Sequence, residues 1–166
     1  MKFLLYAGLI LLLVPLHTTV LPYVSLWGIK PDVGLVTSAV IGLMAGEVDG
    51  LIMGLAIGWV LNMYSAGDLW LSLVTKGGAG LSAGLLGRHV AQVTPMVLSV
   101  GVLALSLAGG LVAVFTMKSG TVSDAWWMVQ SIVLPQSCFD AVAGAGLFWL
   151  VNQRMVIDRL RALDRF

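Results

Sequence analysis

Apolar residues run along the chain in six segments, 3–21, 31–46, 48–64, 69–87, 94–117 and 132–151, broken only by short polar or glycine-rich intervals. A membrane-spanning helix takes about 20 mostly apolar residues, so six of them use roughly 120 positions and leave little beyond loops and ends. The second and third segments are the shortest, and only Glu47 separates them. At 1.5 Å per residue each covers roughly 25 Å, slightly less than a hydrocarbon core of about 30 Å. They predict either a tight helical hairpin across a locally thinned bilayer or a re-entrant pair buried by its neighbours. Both alternatives return the chain to the same side.

Composition agrees with this pattern. Hydrophobic residues make up 59% of the chain and charged ones 10%, against about 25% charged in soluble domains, which excludes a sizeable water-facing domain. The expected fold is an all-α integral membrane protein, one six-helix transmembrane bundle, with 152–166 as a basic cytoplasmic tail. Met1-Lys2 before Phe3 to Val14 looks like a signal peptide at first sight. Pro15, His17 and Pro22 stand where a small-x-small cleavage site belongs, so the stretch reads as a retained first helix.

The formal net charge of +1 offers no footprint for nucleic acid. The placement of the basic residues sets an orientation instead. With the N-terminus inside, the inner side holds Lys2, Arg88, Arg154, Arg159, Arg161 and Arg165, and the outer side Lys30 and Lys118. The turn Glu47-Val48-Asp49 has two acids and no base, and adds nothing to this bias. Trp27, Trp70, Trp126 and Trp127 then mark the outer boundary, Trp149 the inner one. The topology predicted is N-in, C-in. The longest loop, 118–131, predicts a flexible turn and a short surface helix at Ala125-Trp126-Trp127. In the tail, Val156, Leu160 and Leu163 recur at helical spacing, which either prolongs the last helix or lays it on the anionic leaflet.

Glycine gives the strongest pattern within the apolar segments. Gly42, Gly46, Gly50, Gly54 and Gly58 fall every fourth residue, and Gly80 and Gly84 repeat the spacing. Lipid gives helices no hydrophobic reason to associate, so close approach through small residues supplies the packing. Either the chain's own helices use these notches, or one notch receives a helix from another protein. Asn62 and Lys76 extend the two stripes. An ammonium at membrane depth costs about 2.5–3.5 kcal/mol on insertion scales and needs a partner or water. Asp140 lies at a similar depth, roughly 10–12 Å below the outer boundary, which predicts a Lys76–Asp140 pair or a shared polar cavity.

Pro31-Asp32 reads as a helix start, a cap and nothing more. His17 and His89 fall on opposite sides and cannot share a metal; Cys138 is the single cysteine. The chain has no Ser/His/Asp set, metal-ligand motif or phosphate-binding loop, and Lys76-Gly77-Gly78 follows no strand and lacks a Ser or Thr after the lysine. No enzyme and no cofactor are expected.

From Lys30 onward the order of features resembles the MreD family of rod-shape membrane proteins. The resemblance rests on Pro31-Asp32-Val33, Gly42 to Gly46, the run from Asp49 to Gly58, Leu61-Asn62, Ser65-Ala66-Gly67, and the helix ending Gly84-Leu85-Leu86-Gly87-Arg88. The chain departs from the family at Asn62, where an aspartate is common, and at Glu47 and Asp49, where the turn is usually basic. The resemblance implies a bundle similar to the S components of energy-coupling-factor transporters. It also implies a non-enzymatic partner of MreC in the bacterial inner membrane, beside MreB, RodA and a class B penicillin-binding protein in lateral peptidoglycan synthesis. Gly50, Gly54, Gly58, Gly80 and Gly84 are then the candidate groove for MreC. The alternative is an S-component-like subunit of a transporter that binds a small molecule in a cavity lined by Asn62, Lys76 and Asp140.

Overall fold

The computed structural model describes residues 2–25, 28–64, 67–89, 94–116 and 122–163. Trp27, Ser65, Ala66, Lys118, Arg165 and the turn at 118–121 lie outside them, and Lys2 and the tail arginines are described as backbone alone. Among the described residues the fold is helical and has no strand. Helix α1 joins Lys2–Pro15 to Leu21–Val24 through a π-helical turn, Leu16–Val20; α2 is Val33–Ala45, α3 Glu47–Met63, α4 Leu69–His89 and α5 Pro95–Thr116. Helix α6 runs Val122–Met128, a second π turn Val129–Val133, and Leu134–Leu163. Four stretches, Tyr6–Tyr23, Leu69–His89, Pro95–Thr116 and Asp124–Leu150, are long and apolar enough to cross a membrane.

The ends of the short pair α2 and α3 are set by two residues. Asp32 caps α2, its carboxylate accepting from the Leu35 N–H at 3.0 Å. Gly46 ends it at φ +102°, a conformation that side chains rarely adopt, and α3 starts at the next residue. With 13 residues, α2 measures about 20 Å, shorter than the segment expected from hydropathy. It is the centre of the molecule. Every residue from Gly34 to Val40 is buried, as befits a helix that is apolar all round. Thr37 and Ser38 return their hydroxyls to the Val33 and Leu35 carbonyls, so neither is left unsatisfied.

Val36, Ala39 and Val40 of α2 form one core with Ala83 of α4, Leu98 and Val102 of α5 and Phe148 of α6. A second core joins Leu13 of α1 to Met53, Ile57 and Leu61 of α3. Elsewhere α1 is mostly exposed, as at Leu11 and Leu12.

The glycine stripes close on each other. A β-carbon at Gly80 would overlap the Gly50 carbonyl, and one at Gly54 the Lys76 carbonyl. At Gly58 it would lie 2.8 Å from the Ser72 carbonyl oxygen, and at Gly84 it would overlap the Glu47 backbone. All five are buried in the α3–α4 seam, which α2 joins where Gly42 meets Gly80. This corrects the expectation that Gly50, Gly54, Gly58, Gly80 and Gly84 form a groove for MreC. The chain's own backbones fill it, because the facing stripes of α3 and α4 pack directly on each other. At the α2–α3 turn, Arg88 from the end of α4 pairs with Glu47, so the base missing from that turn comes from another connection.

One further expectation changes, and one open alternative is decided. The predicted surface helix at 125–127 is the first part of α6, continuous with the segment after it. The tail prolongs the same helix to Leu163. Both π turns end two residues before a proline, Pro22 and Pro135, with an N–H five residues on closing each turn. Proline has no N–H to donate and its ring crowds the preceding turn, so the wider turn lets the helix continue through it.

Candidate functional site

The polar residues gather at the start of α2. Besides capping α2, Asp32 receives the Lys76 ammonium on its second oxygen, Nζ–Oδ2 3.0 Å. Lys76 extends from α4 past Gly34, where a β-carbon would lie 2.8 Å from the lysine Cε. The bare backbone at 34 thus makes room for the lysine stem. Its Nζ also stands 3.5 Å from Ser72 Oγ, one turn earlier on α4. Ser72 in turn donates to the Gly58 carbonyl of α3 at 3.0 Å.

Asp140 of α6 completes the cluster from the opposite side and is wholly buried. Its Oδ1 accepts the Asp32 backbone N–H at 2.6 Å, and its Oδ2 accepts the Ser106 hydroxyl of α5 at 2.5 Å. One carboxylate therefore ties α2, α5 and α6 together. A buried carboxylate is tolerated only where such donors replace water.

The structure places Asn62, Lys76 and Asp140 around one cavity of about 250 Å³. Asp32, Ser72, Ser106 and Gln136 also line it, and it reaches the exposed Gly67 and Asp68 between α3 and α4. The direct Lys76–Asp140 pair is corrected: the carboxylate that holds Lys76 is Asp32. Asp32 is accordingly more than a cap, its two oxygens being divided between the helix start and the lysine. The side-chain amides of Asn62 and Gln136 make no hydrogen bond among the described residues.

Sequence reasoning missed Asp32, Ser106 and Gln136 as members of the cluster. Gln136 was legible, since it precedes Asp140 by one helical turn. Asp32 was hidden behind its evident task as the cap of its helix. Ser106 shows only as a lone hydroxyl in an apolar run. Apart from this cluster, the ring Nδ1 of His17 is buried without a hydrogen-bond partner in the π turn of α1. No three His, Cys, Asp or Glu side chains converge as a metal set among the described residues.

No protein-family model, curated protein or solved structure matches the chain. Fold and site together define a helical bundle of membrane-spanning character with a buried carboxylate–ammonium cluster at one end.

Proposed function

We propose that the chain is a non-enzymatic scaffold subunit of the bacterial rod-shape complex. In this reading it sits in the cytoplasmic membrane, binds MreC, and helps control lateral peptidoglycan synthesis beside MreB, RodA and a class B penicillin-binding protein. The observation that carries the reading is the role of the stretch from Lys30 to Arg88, where the resemblance to the MreD family lies. Its motifs are the working parts of one interlocked unit, α2 to α4. Pro31-Asp32 starts α2 and holds Lys76; Gly42, Gly50 and Gly80 let three backbones touch; Arg88 ties the α2–α3 turn. Such a unit offers fixed outer faces to a neighbour.

With the α3–α4 seam closed, the MreC span has a different seat. Between α4 and α5 a groove of about 180 Å³ is lined by Gly78, Ala79, Ser82, Ala108 and Gly109. Gly78 has no heavy atom within 4 Å of a built β-carbon. Small residues left unfilled against lipid forgo the packing that a helix would supply. Co-expression with MreC tests the reading. Co-purification, with crosslinks from cysteines at Gly78 and Ala108 to the MreC span, supports it; a well-folded chain that never retains MreC refutes it.

The S-component reading is favoured by one observation, the cavity that Asn62, Lys76 and Asp140 share. Co-purification with a transport ATPase in place of MreC would select it.

A further inference from the structure

The cavity beside Asp140 has a charge balance that its own residues do not close. Two buried or half-buried carboxylates, Asp32 and Asp140, face one ammonium, Lys76, which pairs with Asp32. Asp140 has neutral donors alone, the Asp32 N–H and the Ser106 hydroxyl. A carboxylate offers about four acceptor positions, and protein donors occupy two of those on Asp140, whose edge lines the cavity although the residue is otherwise buried. Asp68 adds a third acid at the mouth. A buried carboxylate without a cation is unfavourable, and a cavity lined by three acids against one base concentrates cations.

Room and hydrogen-bonding groups fit the charge. At about 30 Å³ per water, 250 Å³ holds roughly eight waters or a molecule of a few heavy atoms. The amides of Asn62 and Gln136 face this space with no protein partner among the described residues. Among the described residues no aromatic side chain lines it, so they form no cage of the kind that recognises quaternary ammonium groups. The lining suits a cation that donates hydrogen bonds.

We infer that the cavity binds a small primary ammonium, with Asp140 as counter-ion and the Asn62 and Gln136 amides as acceptors. The ammonium is supplied either by a soluble amine or by the ethanolamine headgroup of a lipid at that end of the bundle. The inference depends on neither reading of function given above.

The test is calorimetric titration of ethanolamine into the full chain in phosphatidylcholine nanodiscs. Saturable binding is expected, with choline at least about tenfold weaker because it donates no N–H. Asp140→Asn removes the charge with little change of shape and weakens binding about 10- to 100-fold. Should that variant misfold, Asn62→Ala and Gln136→Ala, which break no protein hydrogen bond, are each expected to weaken binding about 3- to 10-fold. The inference is overturned if ethanolamine does not bind saturably, if choline binds equally well, or if every well-folded variant binds like the parent. Nanodiscs with phosphatidylethanolamine then assign the source. A raised apparent Kd for free ethanolamine supports the headgroup, and an unchanged one supports the soluble amine.

Discussion

The Asp32 backbone N–H donates to Asp140 Oδ1 at 2.6 Å, joining the start of α2 to the middle of α6 across 108 residues. The same Asp140 takes the Ser106 hydroxyl on its other oxygen. Hydrogen bonds to a charged acceptor contribute about 1.5–3 kcal/mol each, and removing the acceptor leaves two donors stranded. Asp140→Ala is therefore expected to destabilise the bundle by about 3–5 kcal/mol, and Asp140→Asn by less, since one amide oxygen can still accept. Chemical or thermal unfolding in detergent measures the difference, and equal losses would contradict the geometry.

Lys76 pairs with Asp32 across 3.0 Å. Breaking a buried pair from one side typically costs about 3–5 kcal/mol, because the other charge stays behind. Lys76→Met should show that loss, and Lys76→Met with Asp32→Asn should recover part of it, since asparagine caps a helix as well as aspartate does. A double-mutant cycle between 76 and 32 is expected to give a coupling of about 1 kcal/mol or more, larger than the cycle between 76 and 140. The reverse order would restore the pair that the sequence suggested.

Gly78 and Gly80 stand two residues apart on α4 and meet opposite surroundings. Gly80→Ala drives a methyl into the Gly50 backbone and should cost about 1–3 kcal/mol or more. Gly78→Ala fills open space in a helix interior and should stabilise by about 0.5–1 kcal/mol. The two melting temperatures, measured side by side, check the assignment of the closed and open faces.

Gly46 carries φ +102° and ψ 173° between α2 and α3, a region almost reserved for glycine. Gly46→Ala should cost about 1–3 kcal/mol although its side has no neighbour to clash with. Glu47→Gln at the next position loses one side of a pair whose Arg88 is largely exposed, and should cost under about 1 kcal/mol. A larger effect at 47 than at 46 would mean that the turn depends on charge more than on backbone shape.

Much of the architecture was legible because it is written in single-residue chemistry. Hydropathy drew six helical segments, Glu47 divided the short pair, and the four-residue glycine spacing announced close backbones. The direction of the closure was not legible. A stripe of small residues says that something approaches, and only the hairpin geometry says that the approaching surface is the chain's own. The counter-ion of Lys76 escaped for a related reason. Asp32 has an evident local task at its helix start, and one carboxylate oxygen is enough for it; nothing in the residue order reveals that the other is free to take a lysine from α4. The merger of 125–127 into the last helix was hidden by the polar interval 118–131, whose end at Ser131 separates those residues from the apolar run that starts at Ile132.

The widened turn of α6 has a geometric consequence for the acid it precedes. An α-helix advances about 100° per residue, so one extra residue in a π turn rotates everything after it by about that angle. Asp140 follows the turn Val129–Val133 by less than two α-helical turns. Its bearing toward Asp32 and Ser106 is thus indexed by a single inserted residue. Shortening 129–133 by one position would swing the carboxylate about a quarter-circle away from both donors while leaving every contacting side chain chemically intact.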